Sequence, residues 1–235
     1  QIDEKSSGLP ALGENISDLL GSENSKAQTE AELIRSRMTL EPVVNDLHLR
    51  INVTDLEVSA IDKVINDRTH TQLNAPEGIA LKTAEGQVQI SQFNVSQPYL
   101  NQPFTLTREG TGFVLSNGFD DFKGKLNQAN KFSGVDGQIH ITVNDLPADG
   151  HDIRIIKQSL QTTTDELNKK LSVVEKGKQT GIIELSMTGA NQQQTSLILK
   201  KIILSYIGKN ESRGSEETTK TISFMETQIP VLKKK

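Results

Sequence analysis

Residues 103–126 read PFTLTREGTGFVLSNGFDDFKGKL. Apolar and polar residues alternate in Phe104-Thr105-Leu106 and again in Gly112-Phe113-Val114-Leu115, and a third run extends from Phe119 to Leu126. An alternation of two sends successive side chains to opposite faces of a strand, so each run presents one apolar face. Asn117-Gly118 joins the second and third runs, and both residue types tolerate positive φ, which marks a hairpin. The stretch therefore predicts a meander of antiparallel strands with one solvated face. Composition agrees: apolar residues are 34 % and aromatic residues 4 % of the 235. That is too lean for a parallel sheet covered on both sides.

The pattern continues outward. Ile139, Ile141 and Val143 alternate cleanly, as do Ile153 and Ile155. On the N-terminal side Val88 and Ile90 alternate, and so do Leu49, Ile51 and Val53. Between these, 59–67 suits a short helix and 68–86 a loop.

Helical periods flank the strands. In 27–40, Ala31, Ile34 and Met38 share one face, with Leu33 and Leu40 beside it. Glu30 and Glu32 lie early and Arg35 and Arg37 late, matching the helix dipole. Pro42 suits the first turn of a second helix through Val43, Val44 and Leu47. Residues 158–171 are helical through Leu160, Thr164, Leu167 and Leu171. Strand Leu171–Glu175 then meets Gly181–Met187 across Lys176-Gly177. A long helix over 190–213 buries Leu199, Ile202, Ile203 and Tyr206. Leu9, Leu12, Ile16, Leu19 and Leu20 suggest a short helix in the polar stretch 6–25. From about Ser215 onward, Ile222, Met225, Ile229 and Leu232 are spaced as a heptad seam, which Pro230 should bend.

Chemistry is sparse. The formal charge of −4 comes from 26 basic and 30 acidic residues, with no basic stripe interleaved with aromatics, so nucleic acid is not an expected partner. There are no cysteines, which excludes disulfides and thiolate metal sites. No Gly-x-x-x-x-Gly-Lys-Ser/Thr loop occurs, so no nucleotide or other cofactor is expected here. His48, His70, His140 and His151 lack local zinc spacing, and no metal is expected. His140 shares a strand with Ile139 and Ile141 and should face outward. Asp120-Asp121 and Glu216-Glu217 are adjacent rather than convergent, and Asp145, Asp149 and Asp152 surround a turn at Pro147 and Gly150. No catalytic residue is expected. No apolar run approaches the roughly 18–20 residues of a membrane helix. The first residues, Gln1-Ile2-Asp3, read as the tail of a strand, and the last ones as the interior of a helix, so any anchor is expected outside this sequence.

Three segments carry a resemblance: Ala31-Glu-Leu-Ile-Arg-Ser-Arg-Met-Thr-Leu40 with Val43-Val-Asn-Asp-Leu47, Gly181-Ile-Ile-Glu-Leu-Ser-Met-Thr-Gly189, and Thr221-Ile-Ser-Phe-Met-Glu-Thr-Gln-Ile-Pro-Val-Leu232. The first and last resemble the opening and closing blocks of the periplasmic domain of Wzc-type tyrosine autokinases, and the second, leading into a long helix, is similar to the strand–helix step that precedes the closing block. Such autokinases are polysaccharide co-polymerases related to the Wzz-like chain-length determinants. The resemblance implies an α+β fold over 1–235, with a mixed or antiparallel sheet packed against helices and a long helical arm at the C-terminal end. It implies membrane-directed or coiled-coil helix from 215–235, a ring of identical subunits at the inner membrane, and work with a polymerase and an outer-membrane exporter. The polysaccharide itself is a candidate contact. ATP and magnesium would belong to a cytoplasmic kinase domain absent from this sequence. Arg35, Arg37, Ile222, Met225, Ile229 and Pro230 are the expected structural or assembly residues. Two other classes remain: a kinase-less chain-length determinant and a carbohydrate-binding module.

Overall fold

The computed structural model describes residues 26–57, 73–75, 78–177, 180–189, 191–211 and 222–224. Two five-stranded antiparallel sheets form its centre. The first runs in the order β1 (Ile51–Asp55), β10 (Asp152–Lys157), β5 (Pro103–Glu109), β6 (Gly112–Ser116), β7 (Asp121–Lys125). The second runs β2 (Leu73–Ala75), β3 (Gly78–Thr83), β4 (Gly86–Val95), β9 (Gly137–Asp145), β8 (Ala129–Gly134). Alternation decides which face turns inward. Ile51 and Val53 of β1, Phe104 and Leu106 of β5, and Ile153 and Ile155 of β10 meet Val88, Ile90 and Phe93 of β4 and Ile139, Ile141 and Val143 of β9 in one buried cluster. The rings pack edge to face: Phe93 on Phe104, Tyr99 on Phe104, and Phe113 on Phe132. Such geometry suits the ring quadrupoles and adds about 0.5–1.5 kcal/mol per pair beyond area burial.

A second core lies beside the sandwich. The helical residues 26–35 (α1), α2 (Arg37–Asp46), α3 (Leu160–Lys170) and α4 (Gln192–Glu211) enclose Ile34, Leu40, Val44, Leu167, Leu199 and Ile202 against β11 (Leu171–Glu175) and β12 (Ile183–Met187). β11 and β12 pair antiparallel, and β13 (Ile222–Phe224) adds a parallel third strand. α2 also hydrogen-bonds α4, through the Ser205 hydroxyl to the Thr39 carbonyl at 2.8 Å. The chain passes from this layer into the sandwich through β1 and returns through β10. Those strands are antiparallel neighbours, with Gln158 N–H donating to Arg50 C=O at 2.7 Å. Mixed and antiparallel sheets packed against helices are thus the fold class anticipated above.

Several details differ from the sequence reading. The expected helix 27–40 breaks at Ser36, whose backbone is extended at φ −68°, ψ 153°. Its hydroxyl bonds Leu33 C=O at 2.7 Å, and the Thr39 hydroxyl bonds the same carbonyl at 2.8 Å. Short polar side chains that compete for helix carbonyls favour such a break. The phase therefore resets, and Met38, expected on the buried face, is 54 % exposed. Pro42 lies inside α2 rather than in its first turn, because the helix restarts five residues earlier. The loop expected over 68–86 contains β2, β3 and the turn into β4. Its Leu73, Ile79 and Leu81 strands had been masked by Pro76, Glu77 and Gly78. The Asn117-Gly118 turn spans Asn117–Asp120, with Asn117 Oδ1 accepting from Phe119 and Asp120 N–H, so β7 begins at Asp121 and Phe119 is 97 % exposed. Ile222–Phe224, expected in a helix, is strand, because β12 offers an open edge there. The helices expected over 6–25 and 59–67, and the remainder of the 215–235 segment, lie outside the described residues.

Candidate functional site

β10 carries ionisable side chains at both of its ends. A six-residue strand spans about 20 Å, so the two ends are separate environments. At its C-terminal end Lys157 pairs with Ile51 across the sheet and shares the inward parity of Ile153 and Ile155. It is 8 % exposed. Its ammonium donates to Asn94 Oδ1 of the opposite sheet at 3.1 Å, and no carboxylate reaches it among the described residues. Arg50 stands beside it and donates Nε–H to Gln158 C=O at 3.0 Å. Burial, with the neighbouring Arg50 charge, pushes the Lys157 ammonium down to about 8. Burial also pulls the Arg50 guanidinium below its ordinary value. Both line a cavity of about 550 Å³ between the end of α2 and the mouth of the sandwich. Asn45 and His48 enter from the α2 side, and Gln92 and Asn94 from β4.

At the other end of β10, His151 is 4 % exposed and meets three carboxylates. Its Nε2 is 2.8 Å from Asp55 Oδ1, at a carboxylate that is itself 3 % exposed. Its Nδ1 is 3.2 Å from Glu57 Oε2 and 3.4 Å from Glu85 Oε2. Strand pairing makes this cage: Asp55 sits opposite Ile153, and the β3–β4 turn delivers Glu85 from the facing sheet. Burial lowers the imidazole pKa, but the hydrogen bond and charge of Asp55, helped by Glu85 and Glu57, outweigh it, and the pKa ends above its ordinary value. Protonation is thus favoured relative to a free imidazole, and the protonated ring ties the two sheets together. Glu57, Glu85 and His151 also offer one ligand atom each within 4.8 Å of one another, so the group could close on a cation once the imidazole loses its proton. Nothing local in the sequence announces this cage, whose members lie at 55, 57, 85 and 151.

The Asp145–Asp152 segment is a turn held by Arg108, whose Nη1 donates to Leu146 C=O at 2.9 Å and lies 3.8 Å from Asp145. Of the expected assembly residues, two come together. Arg35 Nε–H donates to Asn168 Oδ1 at 3.0 Å, and Arg37 Nη2 lies 3.6 Å from Asp165 Oδ1, so both reach α3 across the α1–α2 break. Ile222 lies in β13, opposite Ile183. Met225, Ile229 and Pro230 lie outside the described residues.

Residues 48–157 match a family model described as "Tyrosine-protein kinase Wzc, N-terminal domain". The matched range contains both five-stranded sheets and both clusters on β10. Over nearly the whole chain there is similarity to the tyrosine-protein kinase ptk of Acinetobacter johnsonii: 29 % identity across 236 residues, covering 99 % of this chain and 32 % of that protein. The tyrosine-protein kinase wzc of Salmonella typhimurium is 27 % identical over 94 % of this chain and 29 % of its own length. The tyrosine-protein kinase etk of Escherichia coli is 24 % identical over 98 % of this chain and 30 % of its own length. The chain spans about a third of the length of these relatives.

Proposed function

Because residues 48–157 match the family model of the Wzc tyrosine-protein kinase N-terminal domain, we propose that this chain is the periplasmic assembly domain of an inner-membrane polysaccharide co-polymerase. The observation that carries the reading is the coverage: relatives that are kinases share this chain from end to end, yet only about a third of their own length. Kinase activity then belongs to the rest of such a protein, with ATP and magnesium, and this part organises polymerisation and export of capsular or exopolysaccharide. In this reading 1–235 act as one domain, and the chain beyond β13, with Met225, Ile229 and Pro230, leads to a membrane anchor. Copies assemble in a ring and work with the polymerase and the outer-membrane exporter. Arg35 and Arg37 set the angle between the α1–α2 pair and α3, and so the surface a neighbouring copy would meet. Several features favour a scaffold over a sugar-stacking module. Phe93, Phe104, Phe113 and Tyr99 are buried, and Phe119 is the exposed ring among the described residues. Stacking platforms need several such rings.

The test uses the full-length protein. Exchanging this domain for that of a relative should change polymer length and leave autophosphorylation intact. Unchanged polymer length would refute the reading, as would autophosphorylation of the purified chain with Mg-ATP.

A further inference from the structure

Lys157 and Arg50 present two positive charges to one cavity, and neither meets a carboxylate among the described residues. A buried cation normally has a partner, since removing it from water costs several kcal/mol. The obvious protein substitute would be the negative end of α2, which abuts the cavity. Its last carbonyls are already engaged: Val43 C=O accepts from Leu47 N–H, Val44 C=O from Leu49 N–H, and Asn45 C=O from His48 N–H. Asn94 supplies Lys157 with a neutral acceptor only. Among the described residues, no negative group therefore compensates the charge.

We infer that this cavity binds an oxyanion, one carboxylate or phosphate group carried by a hydroxyl-rich ligand, between Lys157 and Arg50. The size of about 550 Å³ suits a molecule of one or two sugar rings rather than a lone ion. Arg50 has its Nε–H committed to Gln158 C=O, and no described residue takes its terminal N–H groups, which suit the planar fork of a carboxylate or phosphate. Lys157 adds a point charge beside it. Gln92, Asn45 and the amide N–H₂ of Asn94 can donate to and accept from hydroxyl groups around the anion. An anion between the two cations would also offset the burial and the Arg50 repulsion that together lower the lysine pKa. The inference stands on the cavity and its charges, not on the co-polymerase reading. Within that reading the ligand is an acidic polysaccharide or a phosphorylated precursor of one.

The test is a pH titration of Lys157 in this chain, followed through its ¹³Cε resonance, with glucuronate, inorganic phosphate or glucose added. Glucuronate or phosphate should raise the titration midpoint from about 8 toward 10.5 in a saturable way, and glucose should not. A response to glucuronate alone assigns an acidic sugar, and a response to phosphate alone assigns a phosphorylated one. Arg50→Gln should weaken the response about tenfold or more, the loss of one charge-assisted bond. Lys157→Met, which keeps the apolar stem, should abolish calorimetric binding of the same anions. The inference is overturned if neither anion moves the wild-type midpoint at about 50 mM, far above the usual range for a specific site. It is equally overturned if Lys157→Met binds as the wild type does. Either result would leave the domain-exchange experiment above unaffected.

Discussion

Replacing His151 by leucine should destabilise the chain by about 3 kcal/mol at pH 6. The cost follows from what remains. The Asp55 carboxylate stays 3 % exposed and keeps one donor, Glu57 N–H at 3.0 Å, after losing an imidazole at 2.8 Å. Breaking a buried ion pair by removing one partner costs about 3–5 kcal/mol, and the surviving N–H bond places this case at the lower end. That is a large share of a total near 5–15 kcal/mol. Asp55→Leu with His151→Leu should recover most of the loss, because no charge is then stranded. The pH dependence gives an independent check. The histidine pKa is raised by folding, so its stabilisation is complete below the unfolded value of about 6.5 and fades as pH rises through the folded value. Across that window the wild-type advantage over His151→Leu should fall by up to about 1.4 kcal/mol per pH unit. Taking the difference between the two proteins cancels the titrations of groups outside the cage. Urea unfolding by circular dichroism, at constant m, measures it. A variant within about 1 kcal/mol of wild type at pH 6, or a difference that does not fall with rising pH, would refute the charged cage.

Lys157→Met should raise stability below pH 8, because folding now depresses the lysine pKa from 10.5 to about 8. The gap of about 2.5 pH units corresponds to about 3 kcal/mol. By the same sign, wild-type stability should climb between pH 8 and 10.5 relative to the variant, where the unfolded chain binds the extra proton. Gly124→Ala should destabilise by about 1–3 kcal/mol, since its Cβ would overlap the Phe113 ring, itself wedged against Phe132. Phe113→Leu should relieve part of that loss in the double variant, read as Tm. Arg37→Ala should cost no more than about 1 kcal/mol in the isolated chain, because the pair with Asp165 is 56 % and 51 % exposed. A change in polymer length in the full-length protein without that loss of stability would mark an assembly role.

What could be read from the sequence was whatever one buried face imposes locally. Ile139, Ile141 and Val143 show period two because β9 packs on one side only, and the meander from Phe104 shows it for the same reason. α3 and α4 were legible through spaced apolar residues, and Tyr206 falls where the pattern puts it, bonding Glu30 across the layer. Local competition hid the Ser36 break, where two hydroxyls outbid the helix for one carbonyl. At Thr221-Ile222-Ser223-Phe224 the heptad spacing and a strand alternation coincide, and only the free edge of β12 decides between them. The His151 cage depends on a pairing between residues 96 apart, which no local pattern encodes. Lys157 was different. Its parity with Ile153 and Ile155 puts a charge inside, a signal carried by the residues although the strand was read only through Ile155.

The side-by-side entry and exit of the sandwich, with Gln158 hydrogen-bonded to Arg50, has a consequence for how the chain folds. α2 and α3 pack together although residues 51–157 separate them, so their core must close a loop of roughly that length, at an entropic cost of about 4 kcal/mol beyond the constant term. A folded sandwich has already brought its own two ends within one hydrogen bond. It thus acts as a clasp, converting a distant encounter between helices into a local one. Damage to the sandwich should therefore slow or prevent docking of α2 on α3, whereas damage to the helices should leave the sandwich able to form. Such a clasp also lets the sandwich vary in sequence between relatives without moving the helices, provided β1 and β10 remain paired.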